Sequence, residues 1–167
     1  MKKDILNSID ETTNELLESI SLFNQEQFNK VPFEGSWTAA QVAEHIYKSE
    51  SGIPKIWRGN SVETQRPVDE KAGILHSIFL DFETKLKSPE FILPSTEIQQ
   101  IESLYNSLKS NRAEIRNLAE SINLNLTFTD FSFPQLGELT GVEWVTFFTC
   151  HSKRHTRQIN NIFELIK

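Results

Sequence analysis

Four stretches of this chain space their apolar residues at helical intervals, and two of them open on a Thr-x-x-Gln or Thr-x-x-Glu signature that fixes where a helix starts. From Lys3 to about Phe28, Ile5, Ile9, Leu16, Leu17, Ile20 and Phe23 recur at spacings of three, four and seven. Pro32 and Gly35 break the pattern, so Asn29 to Trp37 reads as a loop. Thr38 and Gln41 then form a capping box that begins a second helix, which runs to about Trp57 with a bend at Gly52–Pro54. A third helix is expected from about Thr96 to Ile122. The fourth begins at Thr140, where Glu143 completes another capping box, and no proline follows.

The connections complete this picture. Between Arg58 and Ser95, Gly59, Pro67, Gly73, Pro89 and Pro94 punctuate a long crossover, within which Ile74 to Leu86 reads as a shorter helix. The segment N-L-N-L-T-F-T-D-F-S-F-P alternates like a strand but has no evident partner, so an extended loop is expected there. The resulting expectation is an all-α four-helix bundle with a long crossover between helices two and three. With 167 residues, of which 38% are hydrophobic, the chain suits one domain spanning 1–167.

Charge and composition exclude several classes of partner. A net charge of −6, with Lys and Arg scattered along the chain, leaves no basic footprint for nucleic acid. No apolar run is long enough to span a bilayer, and the polar interruptions after Lys2 and Lys3 exclude a signal-peptide core. No nucleic acid, no membrane and a cytoplasmic location are the expectations. A lone cysteine, Cys150, cannot form an internal disulfide and reads as a small buried residue.

Three histidines carry the chemistry. His151 and His155 lie four apart on the last helix, so both side chains project from one face, close to its apolar stripe. His45 occupies a similar position on helix two, near Val42 and Ile46. Any one of them alone is more simply a semi-buried histidine bonded to a neighbour; three on core-facing stripes favour a shared metal ion. Three imidazoles suit zinc, nickel, copper or iron better than calcium or magnesium, with zinc or nickel first, and one divalent transition metal is expected. Three protein ligands leave a position open for water or substrate, where a water or a thiol could be activated. Ser152 stands where the zinc-protease H-E-x-x-H motif has its glutamate, which excludes that protease class. Glu44 and Glu50 flank His45 without a spacing that aims at a metal, so the general base and the catalytic residues stay unassigned, and His76 in the crossover lacks a spaced partner.

The stretches S-W-T-A-A-Q-V-A-E-H, F-P-Q-L-G-E-L-T-G-V-E-W and H-S-K-R-H-T-R-Q-I together resemble the DinB-like superfamily, in order from Trp37 to Ile159. The resemblance implies an up-down-down-up helical bundle, often a homodimer, with a metal on His45, His151 and His155. It also implies a metal-dependent enzyme acting on a small molecule, most plausibly a transferase using a low-molecular-weight thiol. The alternatives are a metal-dependent hydrolase and a non-catalytic metal-binding bundle of a stress response. Arg154 and Gln158 match the family's R-H-x-x-Q pattern, and Gln158 is a candidate to orient a ligand from outside the metal shell. Trp37, just before the helix-two cap, is a candidate pocket residue, although packing of that helix end is its simpler role. Trp144, Phe147 and Phe148 could line a pocket, but aromatics at helical spacing are more often core.

Overall fold

A computed structural model describes residues 2–167. Its long helices are α1 (Lys2–Ser21), α3 (Ala39–Glu50), α6 (Ile101–Ser121) and α7 (Gly141–Ile166). Short helices α2 (Gln25–Phe28), α4 (Ile53–Arg58) and α5 (Ala72–Phe79) and a 3₁₀ turn at Glu90–Ile92 fill the connections. Both expected capping boxes are present: the Thr38 hydroxyl accepts from Gln41 N and the Thr140 hydroxyl from Glu143 N, with the Gln41 and Glu143 side chains accepting from the cap backbones. A third box, Asn24 with Gln27, splits the expected first helix into α1 and α2. Helix two divides into α3 and α4 around Ser51 and Gly52, with Pro54 in the first turn of α4, where its missing N–H is harmless.

The all-α four-helix expectation is corrected by a three-stranded antiparallel sheet, β1 (Ser61–Val62), β2 (Thr127–Phe133) and β3 (Gly137–Thr140), in the order β1-β2-β3. The alternating segment expected to be an extended loop supplies β2. Its partners are short and sit at the edges of other features. β3 is the four-residue approach to the α7 cap, and Thr140 both closes the strand and caps the helix. The tight reversal between β2 and β3 uses positive φ at Gln135 (65°) and Gly137 (70°), a conformation that Gly137 adopts without a Cβ penalty. β1 comes from the crossover, where Asn60 N and Nδ2 donate to the Asp130 carboxylate at 2.9 and 2.7 Å.

The long helices enclose two apolar clusters. One gathers Leu16, Ile20, Ala39, Val42, Leu108, Ile159 and their neighbours, and the other gathers Ile9, Ile53, Trp57, Ile115, Leu139, Trp144 and Phe148 among others. The first cluster therefore takes the C-terminal halves of α1 and α7 and the N-terminal halves of α3 and α6, while the second takes the opposite ends of α1, α6 and α7 together with α4, which continues beyond α3. Helices α1 and α7 thus run one way and α3 and α6 the other. Between the clusters, in sequence order on each helix, lie buried polar residues: Thr12 on α1, Glu50 on α3, Arg112 on α6, and His151, Ser152 and His155 on α7. His45 joins this layer from α3. Polar groups in the middle of a core need partners inside the protein, which makes this layer the natural place to look for chemistry.

The crossover is fastened to the helices by buried polar contacts. Glu143, fully buried, accepts a fork from Arg66 (Nη1 and Nη2 at 2.6 and 2.7 Å), the Lys71 N–H at 2.8 Å and the Thr140 N–H at 2.9 Å. Burial alone would raise the Glu143 carboxyl, but these hydrogen bonds and the Arg66 charge outweigh it and hold the group below its ordinary range. Among the described residues, no helix is long and apolar enough to cross a membrane.

Candidate metal centre

Each histidine reaches the polar layer from a long helix whose periodicity faces it inward. His151 and His155, one turn apart on α7, bring their rings to 4.4 Å between centroids, and His45 from α3 approaches them at 5.0 and 4.7 Å. All three are buried, and one ligand atom from each lies within 4.8 Å of the other two. Such a group could hold a metal ion.

The outer nitrogens decide what the inner ones can do. His45 Nδ1 lies 2.9 Å from the carbonyl of Ile92. A carbonyl can only accept, so Nδ1 carries the proton and Nε2 of the neutral ring presents a lone pair. His155 Nδ1 stands 2.8 Å from Gln158 Oε1 and is fixed in the same tautomer. His45 Nε2 faces His151 Nε2 at 3.0 Å. Two lone pairs at that separation repel unless a proton or a cation lies between them, and metal-ligating histidines characteristically donate their outer N–H to a carbonyl or amide oxygen in this way. The donor set therefore fits a divalent transition metal.

Electrostatics point the same way. Burial lowers the His45 pKa, opposed by its bond to Ile92. Burial, joined by the positive fields of His155, His45, Arg112 and Arg154, puts His151 well below the ordinary imidazole value. His155 is lowered to about 3, chiefly by burial and then by His45, with the Gln158 bond opposing. All three rings are consequently neutral at pH 7, the protonation state that ligates metals.

Aromatic rings wall the cluster. Phe147 and Phe79 lie 5.1 and 5.6 Å from His151, and Trp37 lies 5.3 Å from His45. Trp37 also packs on the apolar cluster beside the start of α3. Trp144 and Phe148 are core residues of the second cluster. Arg154 donates to the crossover carbonyls of Asp81, at 2.5 Å, and Thr84, while its charge reaches His151 and His155. Cys150 is buried, and burial raises its thiol. His76 lies exposed on α5.

The carboxylates near His45 in sequence are engaged elsewhere. Glu44 accepts from Ser95 N and Oγ, both at 2.9 Å, and pairs with Lys48 at 2.9 Å. Glu50 pairs with Arg112. Sequence reasoning passed over two participants: Ile92, whose backbone carbonyl leaves no trace in residue type, and Arg112, a cation on the inward face of α6. The signal for Arg112 was available, since it falls four residues after Leu108 and three before Ile115 on the apolar stripe.

Comparison with known proteins gives the chain its family. Over 157 residues the chain is 24% identical to the uncharacterized protein YuaE of Bacillus subtilis (strain 168), covering 94% of this chain and 93% of that relative. No solved structure matches this chain with significant similarity. The sequence pattern of the DinB superfamily matches residues 8–159, which contain all three converging histidines, and the chain belongs to that superfamily.

Proposed function

We propose that this protein is a metal-dependent enzyme that holds one divalent transition metal, zinc or nickel, on His45, His151 and His155 and transfers a low-molecular-weight thiol to an electrophilic small molecule. The observation that carries the reading is the pair of outer hydrogen bonds, His45 Nδ1 to Ile92 O and His155 Nδ1 to Gln158 Oε1, which leave the Nε2 lone pairs of both rings free in a cluster whose three ligand atoms lie within 4.8 Å of one another. When bound, the metal supplies a Lewis acid that lowers the pKa of a thiol reaching its open position.

The chain's own residues do the rest. The three imidazoles stay neutral and donate lone pairs; Ile92 and Gln158 fix their orientation; Phe79, Phe147 and Trp37 exclude bulk water and strengthen electrostatic interactions inside. Thiol transfer needs no protein base, because a thiol of lowered pKa ionises without one. Glu44 and Glu50, tied to Ser95 and Lys48 and to Arg112, are not placed to act as a base for hydrolysis. That engagement favours thiol transfer over metal-dependent hydrolysis.

The test combines metal content with turnover. Protein purified without a metal-affinity tag should carry about one zinc or nickel per chain, lost in His151→Ala and His155→Ala. The loaded protein should accelerate conjugation of small thiols to a chromogenic electrophile. Absence of metal after reconstitution would overturn the metal reading, and a loaded protein with only the background conjugation rate would overturn the transferase reading.

A further inference from the structure

The polar layer contains a second buried constellation beside the histidines. Arg112 is 1% exposed and donates from three different nitrogens to three different helices. Nε reaches Glu50 Oε1 on α3, Nη1 reaches the Thr12 carbonyl on α1, and Nη2 reaches Ser152 Oγ on α7, each at 3.0 Å. Its guanidinium also lies 4.8 Å from the Phe148 ring centroid. One side chain on α6 therefore holds all three of the other long helices, and two of its partners are placed with respect to the histidines. Ser152 follows His151 directly, and Glu50 stands five residues beyond His45 on the same helix.

Stability alone gives a weak reason for this arrangement. Removing a charged pair from water carries a large desolvation penalty, and apolar residues of similar volume often serve stability as well or better. Burial pushes the Glu50 carboxyl up, and the Arg112 guanidinium opposes that shift. What a buried guanidinium does supply is direction. Its planar fork donates only along fixed N–H vectors, so it sets the separation and rotation of the helices it joins more narrowly than interchangeable apolar contacts do. His45 lies on α3, while His151 and His155 lie on α7, and the separation between these two helices is the distance that a three-histidine site must hold to a few tenths of an ångström.

The geometry points to Arg112 as a positioning residue for the metal centre: through Glu50 and Ser152 it locks α3 against α7 in the register that brings His45 to His151 and His155. This role rests on the metal reading proposed above, and its test separates the two. Zinc affinity is measured by chelator competition, and the visible spectrum of the cobalt(II)-loaded protein reports ligand geometry directly.

The double variant Arg112→Met/Glu50→Leu removes both charges together and leaves neither buried alone. Its unfolding midpoint should stay close to the original or rise, while zinc affinity falls ten-fold or more and the cobalt(II) bands shift or lose intensity. Arg112→Lys keeps a positive charge opposite Glu50 but not the three-way fork, and should not restore affinity. Ser152→Ala removes only the tie to α7 and should lower affinity several-fold in a protein that folds normally, which keeps the test decisive should the double variant fail to fold. Wild-type affinity and an unchanged cobalt spectrum in the folded double variant or in Ser152→Ala would overturn the positioning role, as would full affinity in Arg112→Lys. Failure of the unaltered protein to bind zinc or cobalt would instead overturn the metal centre itself.

Discussion

His45 Nε2 lies 3.0 Å from His151 Nε2, although 106 residues separate them, and each ring is buried where water cannot take the place of a partner. The contact is short because α3 and α7 are packed and held by the layer of polar residues between the two apolar clusters. It also makes this pair sensitive to the groups that orient the third ring.

Gln158→Leu should weaken metal binding while leaving the fold intact. Gln158 is half-buried and accepts from His155 Nδ1 at 2.8 Å, so its loss frees the ring to rotate and change tautomer. Removing an outer hydrogen-bond partner of this kind lowers metal affinity by roughly 10- to 100-fold. Chelator competition measures the loss, and circular dichroism checks that helix content is unchanged. Unaltered affinity would show that Gln158 makes only a surface contact.

Stability of the chelator-treated protein should fall as pH drops below the ordinary histidine pKa. The folded-state values of His45, His151 and His155 lie below 6.5, with His155 at about 3. Below pH 6.5 the unfolded chain therefore binds protons that the folded chain refuses. Stability is complete above that pH and declines on acidification, and the contribution of His155 continues to be lost until pH reaches about 3. The slope is up to about 1.4 kcal/mol per pH unit for each such group. Urea unfolding at about pH 7.5 and about pH 5.5 tests this, and a His155→Leu variant should show a shallower dependence. Equal stability at the two pH values would contradict it.

Glu143→Ala should destabilise the fold by about 3 kcal/mol, because it removes the forked carboxylate partner of Arg66 and leaves the Lys71 and Thr140 N–H groups without their acceptor. The damage should concentrate in the crossover. Faster proteolytic cleavage between residues 66 and 71, together with a lower urea midpoint, is the expected result. An unfolding free energy within about 0.5 kcal/mol of the original would show that these hydrogen bonds add no net stability.

Gly141→Ala should cost about 1–3 kcal/mol through overpacking. A Cβ at Gly141 would come within 2.7 Å of Leu124 Cα and 2.8 Å of Leu124 O, and a backbone neighbour has little freedom to withdraw. The capping box beginning at Thr140 stays in place, so helix content should be unchanged while the thermal midpoint falls. A neutral substitution would show that the segment around Leu124 can shift.

The sequence by itself determined the long helices and the faces they bury, because apolar spacing and the boxes at Thr38 and Thr140 are local: every group involved lies within a turn or two of its partner. For the same reason it placed His151 and His155 on one face and put His45 on an inward stripe. It left the sheet as an extended loop, because β2 pairs with a two-residue strand from the crossover and a four-residue approach to a helix cap, neither of which carries enough alternation to announce itself. Only the tertiary structure decided that the Ile92 carbonyl would fix the His45 tautomer, that Arg154 would hold the crossover through the Asp81 and Thr84 carbonyls, and that Arg112 would join the long helices from within. The physical reason is the same in each case. A backbone carbonyl has no residue type, and the destination of a long cationic side chain depends on acceptors that arrive from distant parts of the chain only when the helices pack.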